Sequence, residues 1–104
     1  IYLLNTDWAS DQDQHPATFI YKGKKFPVVV RRYHIETIHC ADGLAVMPAS
    51  NTTDILSVCK KENGWGVKVQ TTGNDVVQCM NAVTGKVEPI KFDEPGVHEV
   101  FVNE

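Results

Sequence analysis

The chain has 104 residues, a formal net charge of −3 at pH 7 and a hydrophobic fraction of 42%. This length fits a single domain over residues 1–104, and the near-average composition disfavours intrinsic disorder. The mildly acidic balance argues against a protein that coats nucleic acid by charge alone. No apolar run approaches the roughly 18–20 residues of a membrane-spanning helix, so we expect no membrane partner.

The first part of the chain predicts a short strand, a long polar loop and a hairpin. Residues 1–4 are apolar, as in a buried strand, and residues 5–16 are polar apart from Trp8. Residues 18–21 and 26–37 alternate or run apolar on either side of a lysine-rich turn that contains a glycine, which is typical of a β-hairpin.

A helix is predicted over residues 53–63. Thr52 or Thr53 can cap its N-terminus, and Gly64 can end it. The apolar side chains within it fall on one face at helical spacing: Ile55, Leu56, Val58 and Cys59.

Further valine-rich runs separated by short glycine-containing turns predict more strands. They cover residues 44–47, 66–71, 76–83, 86–92 and 97–102. Together these patterns indicate an α+β fold that is rich in β-structure. We expect an antiparallel meander or a small, partly open barrel of seven to eight short strands, with one helix near residues 53–63.

The cysteines bear on the redox environment. Cys40, Cys59 and Cys79 are an odd number, so at most one internal disulfide can form, whereas small secreted scaffolds usually carry a denser, even set. No signal peptide is visible, although a processed chain would have lost one. The sequence therefore favours reduced thiols and an intracellular location. Because each cysteine lies in or beside an apolar segment, we expect at least two of them to be buried.

The strand over residues 26–37 offers one candidate catalytic set. Side chains alternate faces along a strand, so Arg32, His34 and Glu36 would share one side. Arg32 could hold a phosphate in a bidentate contact, and His34 or Glu36 could act as acid or base. This set predicts a metal-independent nuclease or phosphotransfer enzyme. The competing interpretation is a solvated sheet face whose charges screen one another.

The hairpin turn offers a second candidate surface. Lys22, Lys24 and Lys25 lie between Tyr21 and Phe26, and Arg31, Arg32 and Tyr33 follow, so that aromatic and cationic residues are interleaved as on proteins that bind single-stranded nucleic acid by stacking and phosphate contacts. A lysine-rich turn is equally well explained as a solvated hairpin tip. Neither a metal nor a cofactor is expected, because the His and Cys spacing fits no closed zinc site and no glycine-rich phosphate loop is present.

The sequence favours a small, non-enzymatic protein-binding domain, such as an inhibitor, an immunity-type protein or an adaptor. Trp8 and Trp65 lie beside polar or glycine-rich turns, where aromatic residues can anchor an interface. We expect Lys22, Lys24 and Lys25 to contribute to the same partner contact. The nuclease and the single-stranded nucleic-acid binder over residues 21–33 are the alternatives.

Overall fold

The computed structural model describes residues 2–4, 14–31, 36–50 and 52–104. Within these ranges the chain forms ten β-strands and no helix. The strands are β1 (Tyr2–Leu4), β2 (Gln14–Tyr21), β3 (Lys24–Arg31), β4 (Glu36–Ala41), β5 (Leu44–Pro48), β6 (Thr53–Lys61), β7 (Gly64–Thr71), β8 (Asp75–Asn81), β9 (Val87–Phe92) and β10 (Gly96–Asn103).

The ten strands form three sheets, and every strand pair is antiparallel. The central sheet has the strand order β1-β4-β5-β8-β9. The outer sheet has the order β10-β7-β6, and β2 and β3 form a separate hairpin. The predicted β-rich, antiparallel architecture is therefore confirmed, and the described sheets do not close into a barrel.

The strand β5 lies at the centre of the fold and is buried along its whole length. Leu44 and Val46 belong to a core between the central and outer sheets. Ala45 and Met47 belong to a second core, between the central sheet and the hairpin. Since side chains alternate faces along a strand, β5 at the centre of this sheet is covered on both faces. The described chain is thus a stack of three β-layers.

The first core joins the central sheet to the outer sheet. Trp65 is its largest fully buried side chain and lies among the valines of β7 and the inward residues of β5 and β8. At one end of this core the ammonium group of Lys60 lies 4.8 Å from the centroid of the Trp65 ring and 3.2 Å from a carboxylate oxygen of Glu104. The ammonium group therefore lies over the face of the tryptophan ring in a cation–π contact.

The second core joins the hairpin to the central sheet. Phe19, Tyr21, Phe26 and Val28 point from the hairpin towards the central sheet and are buried. The N–H of Gly43 donates a 3.1 Å hydrogen bond to the Tyr21 hydroxyl oxygen in this buried setting. The hairpin is therefore held on the central sheet both by apolar packing and by this hydrogen bond between the Gly43 main chain and the Tyr21 side chain.

The predicted hairpin turn is present. Lys22 and Gly23 have φ values of 50° and 78°, and two consecutive positive φ values are characteristic of the type I′ turn that joins strands with the natural twist. The strand predicted over residues 26–37 is wrong, however. Its first part belongs to β3 of the hairpin and its last part to β4 of the central sheet, whose Ile38 and Cys40 pack against the hairpin instead of extending it.

The helix predicted over residues 53–63 is also wrong, since Thr53–Lys61 is the strand β6. Main-chain pairing with β7 runs from Thr53 to Lys61, and this ladder replaces the hydrogen bonds that a helix would make. The pairing register shifts between Ile55 and Ser57, so the inward positions follow neither a strict strand period nor a helical one. The irregular spacing of apolar residues mimics a helix in the sequence. Because residues 53–61 form β6 and the predicted strand over 26–37 covers parts of both β3 and β4, the described strands number ten instead of seven to eight.

The neighbouring residues Ile55 and Leu56 separate the strand from the helix by experiment. Ile55 is 7% exposed and Leu56 is 45% exposed. We expect Ile55→Ala to lower the free energy of unfolding by about 2–5 kcal/mol, because it leaves a cavity in the core. Leu56→Ala should cost about 0.5 kcal/mol or less, as at an ordinary surface position. Denaturant unfolding of both variants measures this, and equal losses would contradict the strand.

Candidate functional site

The predicted catalytic set is not assembled among the residues that the structure describes. Glu36 is the first residue of β4, whereas Arg32 and His34 lie outside the described residues, as does Trp8. The strand that was expected to align the three side chains is divided between β3 of the hairpin and β4 of the central sheet, and residues 32–35 between them lie outside the described residues. The nuclease hypothesis therefore stays a prediction.

Trp65, a predicted partner contact, lies in the first core with no exposed surface. Its Nε1 atom is buried and has no hydrogen-bond partner among the described residues. The glycines on either side, Gly64 and Gly66, suggested an open turn in the sequence, but they lie within the strand β7. A partner could reach this ring only if the central and outer sheets moved apart.

The three predicted lysines lie together at the hairpin tip. Lys22, Lys24 and Lys25 are exposed, and the Lys22 ammonium lies 5.8 Å from the centroid of the Tyr21 ring. The rings of Tyr21 and Phe26, which were expected to stack on bases, point into the second core instead. Within the described part of the hairpin, the tip is therefore cationic but presents no ring for stacking.

A groove lies beside the hairpin, on the same side of the central sheet. Strands in a sheet lie about 4.8 Å apart, so a two-stranded hairpin cannot cover a five-stranded sheet. The uncovered part lies over β8 and β9 and forms a groove of about 390 Å³. It is lined by Gln14, Val29, Met47, Pro48, Ala49, Val76, Gln78, Val87 and Pro89.

The lining of this groove is apolar and uncharged. None of its nine residues ionises, and Val29 and Val87 are 46% and 41% exposed. The Gln78 side-chain amide donates a 3.0 Å hydrogen bond to the Pro27 main-chain oxygen, which joins the groove floor to the hairpin. The groove therefore offers a fixed apolar surface to a ligand.

A second cavity, of about 470 Å³, opens between the start of β9 and the end of β10. Its lining includes Lys86, Glu88 and Glu104, and Cys79 lies at its floor. Burial, together with the nearby charge of Glu88, raises the pKa of the Cys79 thiol to about 12. The thiol stays protonated at neutral pH, so it is not an activated nucleophile.

A hydroxyl-rich cluster surrounds Asp75 at the start of β8. One carboxylate oxygen accepts hydrogen bonds from the hydroxyls of Ser50, at 2.8 Å, and Thr52, at 3.1 Å. The other accepts from the Val76 N–H at 2.8 Å. Burial by itself raises the pKa of Asp75, but these bonds and the Thr53 hydroxyl together lower it below its ordinary value. The cluster ties the β5–β6 connection to β8 and leaves the carboxylate no open side for catalysis.

The described residues hold no group of three or more His, Cys, Asp and Glu side chains placed to bind a metal. Burial lowers the pKa of His39, and its Nδ1 atom has no hydrogen-bond partner in the described part of the chain. The described ranges also contain no helix of the length and apolarity needed to cross a bilayer.

Comparison with known proteins gives no relative: no protein-family model, characterised protein or solved structure matches this chain.

The groove itself was not predicted from the sequence. It arises where two sheets of unequal width stack, and no local pattern encodes the relative placement of sheets. In the sequence, the apolar residues Val87 and Pro89 on either side of Glu88 are the local feature that points to exposed apolar surface on the edge strand β9 of the central sheet.

The three free cysteines differ in accessibility. Cys79 is buried, Cys40 is half-buried and Cys59 is exposed, so the expectation of at least two buried thiols was wrong. The error follows from the helix, since Cys59 points outwards from β6. We expect one thiol to react rapidly with a thiol reagent and Cys40 slowly, because burial raises its pKa. Cys79 should react only on unfolding. Cys59→Ser should remove the rapid phase, and a rapid phase that persists would contradict this assignment.

The hydrogen bonds to Asp75 predict a dependence of stability on pH. Its folded pKa is below the ordinary value, so its contribution is present above the ordinary carboxyl range and lost as the pH falls through the folded pKa. We expect Asp75→Asn to lower stability at neutral pH by about 1–3 kcal/mol and to flatten the acid limb. The control is Asp93→Asn, since Asp93 is exposed and forms a salt bridge with the exposed Lys91. Equal pH profiles for Asp75→Asn and the unsubstituted chain would contradict the role of the cluster.

Proposed function

We propose that this chain is a small, non-enzymatic protein-binding domain, and that the groove over β8 and β9 receives an extended apolar segment of its partner. The observation that carries the proposal is the uncharged groove itself, with Val29 and Val87 partly exposed on its two walls. Exposed apolar surface that is contiguous and concave is characteristic of binding sites.

The composition of the groove defines the partner segment. A charged side chain would lose its hydration there without gaining an opposite charge, so an uncharged segment is favoured. Fully burying one valine side chain contributes about 1.5–3 kcal/mol relative to leaving it exposed. A partner segment that covers the exposed parts of Val29 and Val87 gains a fraction of this free energy from each side chain. The conformational entropy that the segment loses on binding reduces the total.

The walls of the groove favour recognition through side chains over strand addition. Pro27 in β3 and Pro89 in β9 have no main-chain N–H, and the Pro27 oxygen already accepts from Gln78. A strand laid along either wall would find the hydrogen-bond ladder interrupted. The partner segment is therefore held by its side chains in the groove, with few main-chain hydrogen bonds to its walls.

The alternatives have less support from the described residues. A nuclease would rely on Arg32 and His34, which lie outside them. Stacking on single-stranded nucleic acid would need exposed rings, and the rings of Tyr21 and Phe26 are buried. Lys22, Lys24 and Lys25 remain available at the tip for long-range attraction of an acidic partner.

Selection from a phage-displayed library of random peptides tests the proposal directly. We expect enriched peptides to be apolar and uncharged, and the synthesised peptides to bind the chain in titration calorimetry. Val87→Lys places a charge in the groove and should weaken binding at least tenfold, since it costs more than about 1.4 kcal/mol.

The matched control is Val83→Lys. Val83 is 56% exposed and lies in the β8–β9 turn, outside the groove lining, so this variant should bind as well as the unsubstituted chain. Equal loss in both variants, or no enriched peptide, would refute the groove as the site. Binding of single-stranded RNA that falls steeply with salt and with Lys24→Ala would instead favour the nucleic-acid alternative.

A further inference from the structure

Most free strand edges in the described chain carry a feature that prevents further pairing. An unpaired edge exposes main-chain N–H and C=O groups, and proteins protect such edges with prolines, bulges or very short strands. The protecting features are Pro16 in β2, Pro27 in β3, Pro89 in β9 and the register shift in β6. The strand β10 has none of these features.

The register of β10 identifies which of its main-chain groups are free. It pairs with β7 without a break, from Gly96 opposite Thr71 to Asn103 opposite Gly64. The Glu104 N–H donates to the Asn63 oxygen at 3.1 Å, which places the even-numbered residues of β10 in the hydrogen-bonded positions. Because hydrogen bonding alternates along an antiparallel strand, the odd-numbered residues direct their N–H and C=O groups away from β7.

The same odd-numbered residues place their side chains on the outward face of the outer sheet. Val97 and Phe101 are 55% and 51% exposed, and Glu99 lies between them, opposite Lys68 on β7. The Phe101 ring lies over Gly64, where a Cβ atom would come within 2.6 Å of its Cζ atom. The ring is therefore seated on the sheet at a fixed place beside the free edge.

We propose that β10 pairs antiparallel with β10 of a second copy of this chain, about a two-fold axis at Glu99. The two outer sheets then form one continuous sheet of six strands. The odd-numbered residues of one β10 must lie opposite odd-numbered residues of the other, because only then do the outward faces of the two sheets lie on the same side. With the axis at Glu99, Val97 of each copy lies opposite Phe101 of the other. About six main-chain hydrogen bonds form, two for each of three facing pairs.

The second copy is favoured as the occupant because its β10 offers the complementary groups. Among the described strands it is the long, straight edge without a proline or bulge, and a two-fold contact satisfies both edges at once and closes. Each Glu99 has Lys68 of its own chain across the strand pair, so the central row carries no net charge. The groove lies on the other side of the central sheet and stays open, so this contact is independent of the proposed peptide binding.

Sedimentation equilibrium of the full chain tests the contact. We expect a monomer–dimer equilibrium that Glu99→Pro weakens at least tenfold, because proline removes an N–H at the free edge and leaves the bonds to β7 intact. The matched control is Lys91→Pro in the edge strand β9. Because the Asn81 N–H donates to the Lys86 oxygen, the odd-numbered residues of β9, Lys91 among them, direct their main-chain groups to the free edge, as Glu99 does in β10. That edge is already interrupted by Pro89 and takes no part in the proposed contact. Lys91→Pro should dimerise like the unsubstituted chain.

A charge exchange tests the register and needs no proline. Glu99→Lys should dimerise more weakly with itself, since two ammonium groups meet beside the two Lys68 side chains. Mixed in equal amounts with the unsubstituted chain, it should form mainly mixed dimers, detectable by native mass spectrometry. A chain that stays monomeric up to about 1 mM, or dimers indifferent to both Glu99 variants, would overturn the proposal.

Discussion

The fold depends on burying both faces of one short strand. In β5, Leu44 and Val46 point to one side and Ala45 and Met47 to the other, and all four are buried. A strand buried on both faces must have a layer packed on each side, because either face left open would expose a row of apolar side chains. The outer sheet and the hairpin are these two layers, and their other features follow from this requirement.

The covering layers are narrower than the sheet that they cover. Three strands lie on one side of the five-stranded sheet and two on the other, so parts of β8 and β9 remain uncovered on the hairpin side. The mismatch produces the apolar groove without any local break in a strand. The outer sheet is open and so has two free edges, of which β6 carries a register shift and β10 does not. The groove is thus a consequence of stacking sheets of unequal width, and the free β10 edge is a consequence of the open outer sheet.

Much of the strand pattern could be predicted from the sequence, because it depends on local signals. The turn at Gly23, the end of β5 at Pro48 and the valine-rich strands β7, β8 and β10 lie where turn residues and apolar runs place them. Pro27 is found in a strand with one unpaired edge, as its missing N–H requires. Local chemistry is sufficient for such features.

The remaining features depend on contacts between distant segments. Pairing with β7 makes residues 53–61 a strand although their apolar spacing resembles a helix. Trp65 is buried although it lies between two glycines, because the alternation of side chains along β7 turns it towards the core. On the opposite, outward face, Gly66 leaves room for the Lys61 side chain. The break between β3 and β4 assigns neighbouring segments to different layers, which no local pattern in the sequence indicates.

The positions of the prolines connect the two proposed surfaces. Pro89 lines the groove, and Pro27 lies in the same strand as the lining residue Val29, so the two prolines limit main-chain pairing there and leave side-chain contacts as the means of recognition. Strand β10 is the opposite case, with a continuous edge and little beyond main-chain groups, Val97 and Phe101 to offer. A two-fold pair formed through β10 carries two grooves, each on the side of its central sheet away from the outer layer. When a partner with two apolar segments binds one groove, its second segment is held near the second groove at a high effective concentration. The dimer would therefore bind such a partner more tightly than a single groove does.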